Sequence, residues 1–138
     1  MADEAHDIVE GDGYAVGHID AMGHDYGFRK IRRAVGVTEF GVNAVVMPPG
    51  YGGGGHYHDE QQELYFVHRG TLEFEFGDGS RHRLAPGAVA RVDAATVRRF
   101  RNVGEDDAVY LIVGAKGGYV GRDAHVPPGE ERVAGPSQ

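Results

Sequence analysis

The sequence predicts an all-β domain built from many short strands, on three observations. Its 23 glycines in 138 residues stand between apolar runs and not in one low-complexity tract, so they read as turn punctuation. The segment from Thr71 to Phe76 alternates apolar and charged side chains at period two, as a strand does with one buried and one wet face. Further short runs rich in valine, leucine and aromatic residues are bounded by Pro-Gly and Gly-Asp-Gly turn signals.

A chain of 14.9 kDa is long enough to bury one core without covalent staples, and one compact barrel accounts for it. There is no cysteine, which excludes disulfides, thiolate metal sites and a thiol nucleophile. The net charge of −7 offers no global field for nucleic acid or an anionic membrane. The start, acidic and without an apolar run, lacks the pattern of a signal peptide, and no stretch reaches membrane-spanning length. A cytoplasmic location is expected.

In chain order, residues 1–29 are expected to form an N-terminal arm, partly mobile, with a short helical turn over Glu4 to Val9 and the remainder lying over the barrel. The barrel is expected over residues 30–120. Lys30 to Val35 reads as its first strand, closed by Gly36. Phe40 to Met47 is apolar on both faces, so both need cover, and Pro48-Pro49-Gly50 breaks the ladder after it. Gly52 to Gly55 reads either as a flexible loop or as backbone brought close to a ligand. Leu64 to His68, Leu72 to Phe76, Arg81 to Leu84, Val89 to Val92, Phe100 to Val103 and Ala108 to Val113 supply the other strands. Turns at Gly77-Asp78-Gly79, Pro86-Gly87 and Gly104 to Asp107 join several of them. Residues 121–138, rich in proline, glycine and charge, are expected to be disordered.

The chemistry concentrates between Gly50 and Gly70. Side chains two apart on a strand share a face, so His56 and His58 present two imidazoles in one direction. Asp59 to Gln62 reads as a turn, and the strand that follows returns Glu63 beside them. Two imidazoles and one carboxylate suit a divalent transition metal such as zinc, manganese, iron or nickel. Tyr65 shares the inward face with Glu63, whereas Tyr57 and His68 point away. His82, on another strand, stays open as a further ligand. His6, His18, His24 and His125 lie in end segments and read as solvated or locally bonded. No Ser-His-Asp order, G-x-S-x-G or phosphate-binding loop is present.

The spacing of Gly50, five residues, His56-Tyr57-His58, four residues, Glu63, six residues and Gly70 resembles the first motif of the cupin superfamily. Pro86-Gly87 and the segment ending in Asn102 resemble the second, so the likeness spans about Phe40 to Gly114. The resemblance implies a double-stranded β-helix, or jelly-roll barrel, with the site in its mouth. It also implies that Arg98, Phe100 and Asn102 point inward as ligand-binding candidates together with Tyr65. Similar proteins are often homodimers, and the run Val109 to Val113, apolar on both faces, is consistent with a covered sheet.

One position departs from the pattern. The family places a histidine, its fourth metal ligand, four residues before the closing asparagine; here that residue is Arg98. A guanidinium has no free lone pair and cannot replace it. A dication and a guanidinium about 4 Å apart repel by about 8 kcal/mol at an effective dielectric of about 20, so an anion must lie between them. Two functions follow. In the first, His56, His58 and Glu63 hold a metal, Arg98 is displaced outward to anchor a small anionic metabolite, and the chain is an oxygenase, an isomerase or a lyase. In the second, Glu63 pairs with Arg98 and a metal-free, non-catalytic barrel binds a sugar or carboxylate.

Overall fold

The computed structural model describes residues 7–130. Two small strands, β1 (Val9–Gly11) and β2 (Tyr14–Val16), pair as a hairpin, and a 3₁₀ turn covers Ile19–Ala21. The barrel follows as β3 (Gly27–Arg29), helix α1 (Ile31–Val35), β4 (Gly41–Met47), β5 (Tyr57–His58), β6 (Gln62–Arg69), β7 (Leu72–Phe76), β8 (Arg81–Leu84), β9 (Val89–Val92), β10 (Arg98–Asn102), β11 (Ala108–Ala115) and β12 (Ala124–His125). All pairings are antiparallel: a five-stranded sheet in the order β3-β4-β11-β6-β9, a three-stranded sheet β10-β7-β8, and the pair β12-β5. The two larger sheets pack face to face, giving the expected jelly roll. No helix is long and apolar enough to cross a membrane among the described residues.

The core lies between the sheets. Strand alternation turns Tyr65, Val67, Val45, Met47 and Tyr110 inward from one sheet and Leu72, Phe74 and Phe100 from the other. Ring contacts cross the interface, with Tyr65 edge-on to Phe74 at 5.0 Å and Phe100 edge-on to Tyr110 at 5.2 Å. Such pairs add about 0.5–1.5 kcal/mol each beyond area burial.

Three expectations are corrected. Lys30 to Val35 is not a strand: the edge of β4 is already paired by β3, and Ile31 to Val35 coil into α1, closed by Gly36 at φ 75° with its N–H on the Arg32 carbonyl. Val9, expected in a helical turn, lies in β1; the rest of that turn reaches outside the described residues. The segment from Gly121 to Glu130, expected as disordered tail, packs back on the barrel through β12, and the tail beyond it lies outside the described residues. The glycine run is also explained in part by packing: a Cβ on Gly52 would meet Arg101 Cβ at 3.0 Å, and one on Gly55 would meet Arg99 Nη1 at 2.6 Å. Gly52 and Gly55 thus lie packed against β10, whereas a Cβ on Gly53 would meet nothing within 4 Å.

Asn102, expected to face a ligand, is wholly buried and used by the fold. Its amide donates to the carbonyls of Met47 (3.1 Å) and Asp106 (2.8 Å), and its oxygen accepts from Gly104 N–H (2.9 Å). It therefore ties the end of β4 to the β10–β11 turn. Asn102→Ala should lower stability in urea unfolding by about 3 kcal/mol, because backbone groups would be left buried and unpaired. A loss within 0.5 kcal/mol of zero, on the scale of surface substitutions, would return Asn102 to the ligand-binding candidates.

Candidate metal centre

His56 leaves the glycine run locked to β10, its N–H and carbonyl both bonded to Arg98 at 3.0 Å. Two residues on, His58 presents its ring on the same side, and the two imidazoles meet edge to face at 5.3 Å. β6 then returns Glu63, which sits opposite Val92 of β9 and Gly114 of β11. The Nε2 atoms of His56 and His58 lie 3.9 and 3.3 Å from Glu63 Oε1. One ligand atom from each of the three residues falls within 4.8 Å of the others. Donors around one ion at bond lengths of about 2.0–2.2 Å stand at comparable separations.

The donor chemistry fits a divalent ion as well as the spacing does. His58 Nε2 is buried and has no hydrogen-bond partner, an arrangement rare in folded proteins unless another group fills it. Its other ring nitrogen, Nδ1, is 2.8 Å from Asp123 Oδ1, the outer carboxylate usual behind a ligating histidine. The His56 side chain is 28% exposed, against 7% for His58 and 9% for Glu63, so the approach to the centre runs past His56.

Glu63 Oε1 is the hub. Beside the two nearby histidine nitrogens, it accepts from the Tyr65 hydroxyl at 2.7 Å and from Arg98 Nη2 at 3.1 Å. Arg98 is wholly buried, with Nη1 donating to the carbonyls of Thr96 (2.7 Å) and Ala94 (3.3 Å) and Nε buried without a partner. Its side chain is thus not displaced outward; it is clamped beneath the site. Burial alone would push the Glu63 carboxyl up, but His56, His58 and the Tyr65 hydroxyl outweigh it and hold the group well below the usual carboxylate range. Burial likewise pulls the His58 imidazole down, yet the Glu63 and Asp123 carboxylates more than reverse this and raise it. Burial beside Glu63 drives the Tyr65 hydroxyl far up, so it stays protonated and donates to Glu63.

Of the other candidates, Phe100 stacks on Phe74 at 5.1 Å and stands edge-on to His56 at 6.3 Å, forming apolar support under the histidine. His68 and His82 are exposed and belong to no ligand group among the described residues. Asp123 was missed. It lies 65 residues from His58 in a polar, glycine-flanked stretch, and only the pairing of β12 with β5 brings it there.

A jelly roll with two imidazoles and a carboxylate at the mouth is the architecture of a small-molecule-binding β-barrel. The cupin domain family matches residues 43–114, more than half of the chain, and the chain belongs to that family. Among solved structures, it is similar to a sugar phosphate isomerase of the cupin superfamily from Silicibacter pomeroyi, at 27% identity and TM-score 0.62, covering 85% of this chain and 67% of that one. It is also similar to a conserved protein with a double-stranded β-helix domain from Klebsiella pneumoniae, at 19% identity and TM-score 0.65, covering 80% of this chain and 95% of that one. A DMSP lyase structure matches at 24% identity and TM-score 0.55 over 63% of this chain; the chain spans 43% of that protein's length. No curated protein matches.

Removing one member of a buried ion pair strands the other, at a cost of about 3–5 kcal/mol. Glu63→Gln should therefore lose about that much stability in urea, and adding Arg98→Met should recover most of it. A double variant no more stable than Glu63→Gln would mean that Arg98 does not depend on Glu63 for its charge balance.

Proposed function

We propose that the chain binds a divalent metal ion through His56, His58 and Glu63 and acts there on a small anionic metabolite. The observation that carries this is the buried, unpartnered Nε2 of His58, set between Glu63 and His56. When bound, such an ion supplies Lewis-acid polarisation of a substrate oxygen. The chain's own residues do the rest. Tyr65 and Arg98 fix the Glu63 carboxylate by hydrogen bonds, Phe100 backs the His56 ring, and the burial of His58 and Glu63 keeps water from their inner side.

Charge selects the substrate class. A dication and one buried guanidinium against the carboxylates of Glu63 and Asp123 leave the site net positive by one, so it favours an anion entering past His56. Arg98 contributes as a fixed charge below the centre, since its Nη1 and Nη2 groups are already engaged. The similarity to a sugar phosphate isomerase supports an isomerase acting on a phosphate, ahead of a lyase or an oxygenase. Zinc, manganese, iron and nickel all suit the donor set.

A second reading has its own support in the ion pair of 3.1 Å between Arg98 and Glu63. In it Arg98 neutralises the carboxylate and the barrel is a metal-free module for a sugar or carboxylate. Elemental analysis of protein purified without a metal-affinity tag separates the two. About one metal per chain is expected, lost in His56→Ala and in His58→Ala with the fold retained. Metal-free protein that also shows no thermal shift with zinc, manganese, nickel or ferrous iron would replace the first reading with the second.

We further infer a homodimer through the outer face of the five-stranded sheet, where Leu64, Phe66 and Val89 are 44%, 37% and 62% exposed on adjacent strands. Sedimentation equilibrium should return twice the chain mass, and Phe66→Glu should shift it to the monomer. A monomeric wild-type protein at micromolar concentration would remove this inference.

A further inference from the structure

We propose that Asp123 is a positioning residue for the centre: it locks His58 in the tautomer with Nδ1 protonated and Nε2 bare toward Glu63 and His56. This rests on the reading of His56, His58 and Glu63 as metal ligands. Asp123 lies outside the residues that match the cupin family, so its role belongs to this chain's C-terminal segment.

The carboxylate is 6% exposed and cannot turn. Its Oδ2 accepts two backbone N–H groups, from Glu60 at 3.0 Å and Gln61 at 3.1 Å. Its Oδ1 accepts the Gln61 side-chain amide at 2.6 Å and faces His58 Nδ1 at 2.8 Å. Three N–H groups thus point at the carboxylate, and both of its oxygens act as acceptors. Two other groups bear on the ring, the Gln61 amide 3.2 Å from Nδ1 and Glu63 Oε1 3.3 Å from Nε2, but the Asp123 contact is the shortest of the three, so the single proton of the neutral ring is placed on Nδ1 and the lone pair on Nε2.

The surrounding chain is built to keep Asp123 in place. β12 sets Ala124 opposite His58 and His125 opposite Tyr57. His125 Nε2 lies 2.7 Å from Asp59 Oδ2, and its ring stacks on Tyr57 at 5.4 Å. On the far side, Gly114 makes room for Gln61: a Cβ there would meet Gln61 Oε1 at 2.2 Å.

The substitution Asp123→Asn separates a tautomer lock from a mere clasp. The two backbone N–H groups of Glu60 and Gln61 still require an acceptor, and the amide has only one oxygen to give them. Its NH₂ then faces His58 Nδ1, which must accept, so the ring proton moves to Nε2, the ligand atom. The backbone part of the clasp survives, the Gln61 amide turns its oxygen toward the new NH₂, and the tautomer inverts.

The test has two readouts. Long-range ¹H–¹⁵N spectra of metal-free protein, recorded across the His58 titration so that the neutral ring is read, report the tautomer. Competition between the protein and a chromophoric chelator for zinc reports affinity. Wild-type protein should show Nδ1–H at His58. Asp123→Asn should show Nε2–H and bind zinc about 10- to 100-fold more weakly. An Nε2–H wild-type ring overturns the proposal without any variant, and so does an Asp123→Asn protein with unchanged tautomer and zinc affinity within about twofold of wild type. If the tautomer inverts but the wild-type protein takes up no zinc, the metal reading fails and the lock stands.

Discussion

One carboxylate governs the interior of this barrel. Glu63 is nearly buried, and a lone anion there would be driven to protonate; instead four groups converge on Oε1 and keep it ionised. Two of them, Tyr65 and Arg98, are permanent donors from the core, and two, His56 and His58, are imidazoles, groups that could exchange a proton for a metal. The site is thus a balance around a single negative charge, with its fixed share of positive charge supplied from beneath by Arg98.

The fold serves that balance by bringing distant strands to one point. β6 carries Glu63 and Tyr65 on successive inward positions, β10 carries Arg98 directly opposite His56, and β12 adds Asp123 behind His58. The order of hydrogen bonds runs from backbone to site: carbonyls of Ala94 and Thr96 hold Arg98, and N–H groups of Glu60 and Gln61 hold Asp123. Side chains fixed at their far ends in this way can keep the histidine nitrogens aimed at Glu63 in the absence of an ion.

Much of this was legible in the sequence because it follows from short-range rules. Alternation placed His56 and His58 together, the polar turn returned Glu63 and Tyr65, and the clean period of Leu72, Phe74 and Phe76 marked a core strand. What alternation gives is a direction, not a partner. It turned Asn102 inward, but whether its amide met a ligand or Met47 and Asp106 depended on backbone from other elements. The run KIRRAV fits a strand or a helical turn equally well by pattern, and the prior pairing of β3 with β4 decided for the helix. Asp123 carried no signal, since its partners are set by a two-residue strand pairing across a long loop, in a stretch whose glycines and prolines read as loose chain.

On the proposed metal reading, the arginine at the fourth-ligand position would change what the centre favours. A histidine there would add a neutral donor and leave a dication already balanced by the carboxylates of Glu63 and Asp123. Arg98 adds no lone pair, leaves one more coordination position open, and raises the positive charge by one at a place no solvent screens. Both changes push in one direction: toward a ligand that brings its own oxygen donors and its own negative charge. Because Nη1 and Nη2 are held by Thr96, Ala94 and Glu63, that ligand need not touch Arg98 to feel it. On that reading, selectivity would arise from the field of a fixed charge, at no cost in reorganisation because the guanidinium is already in position.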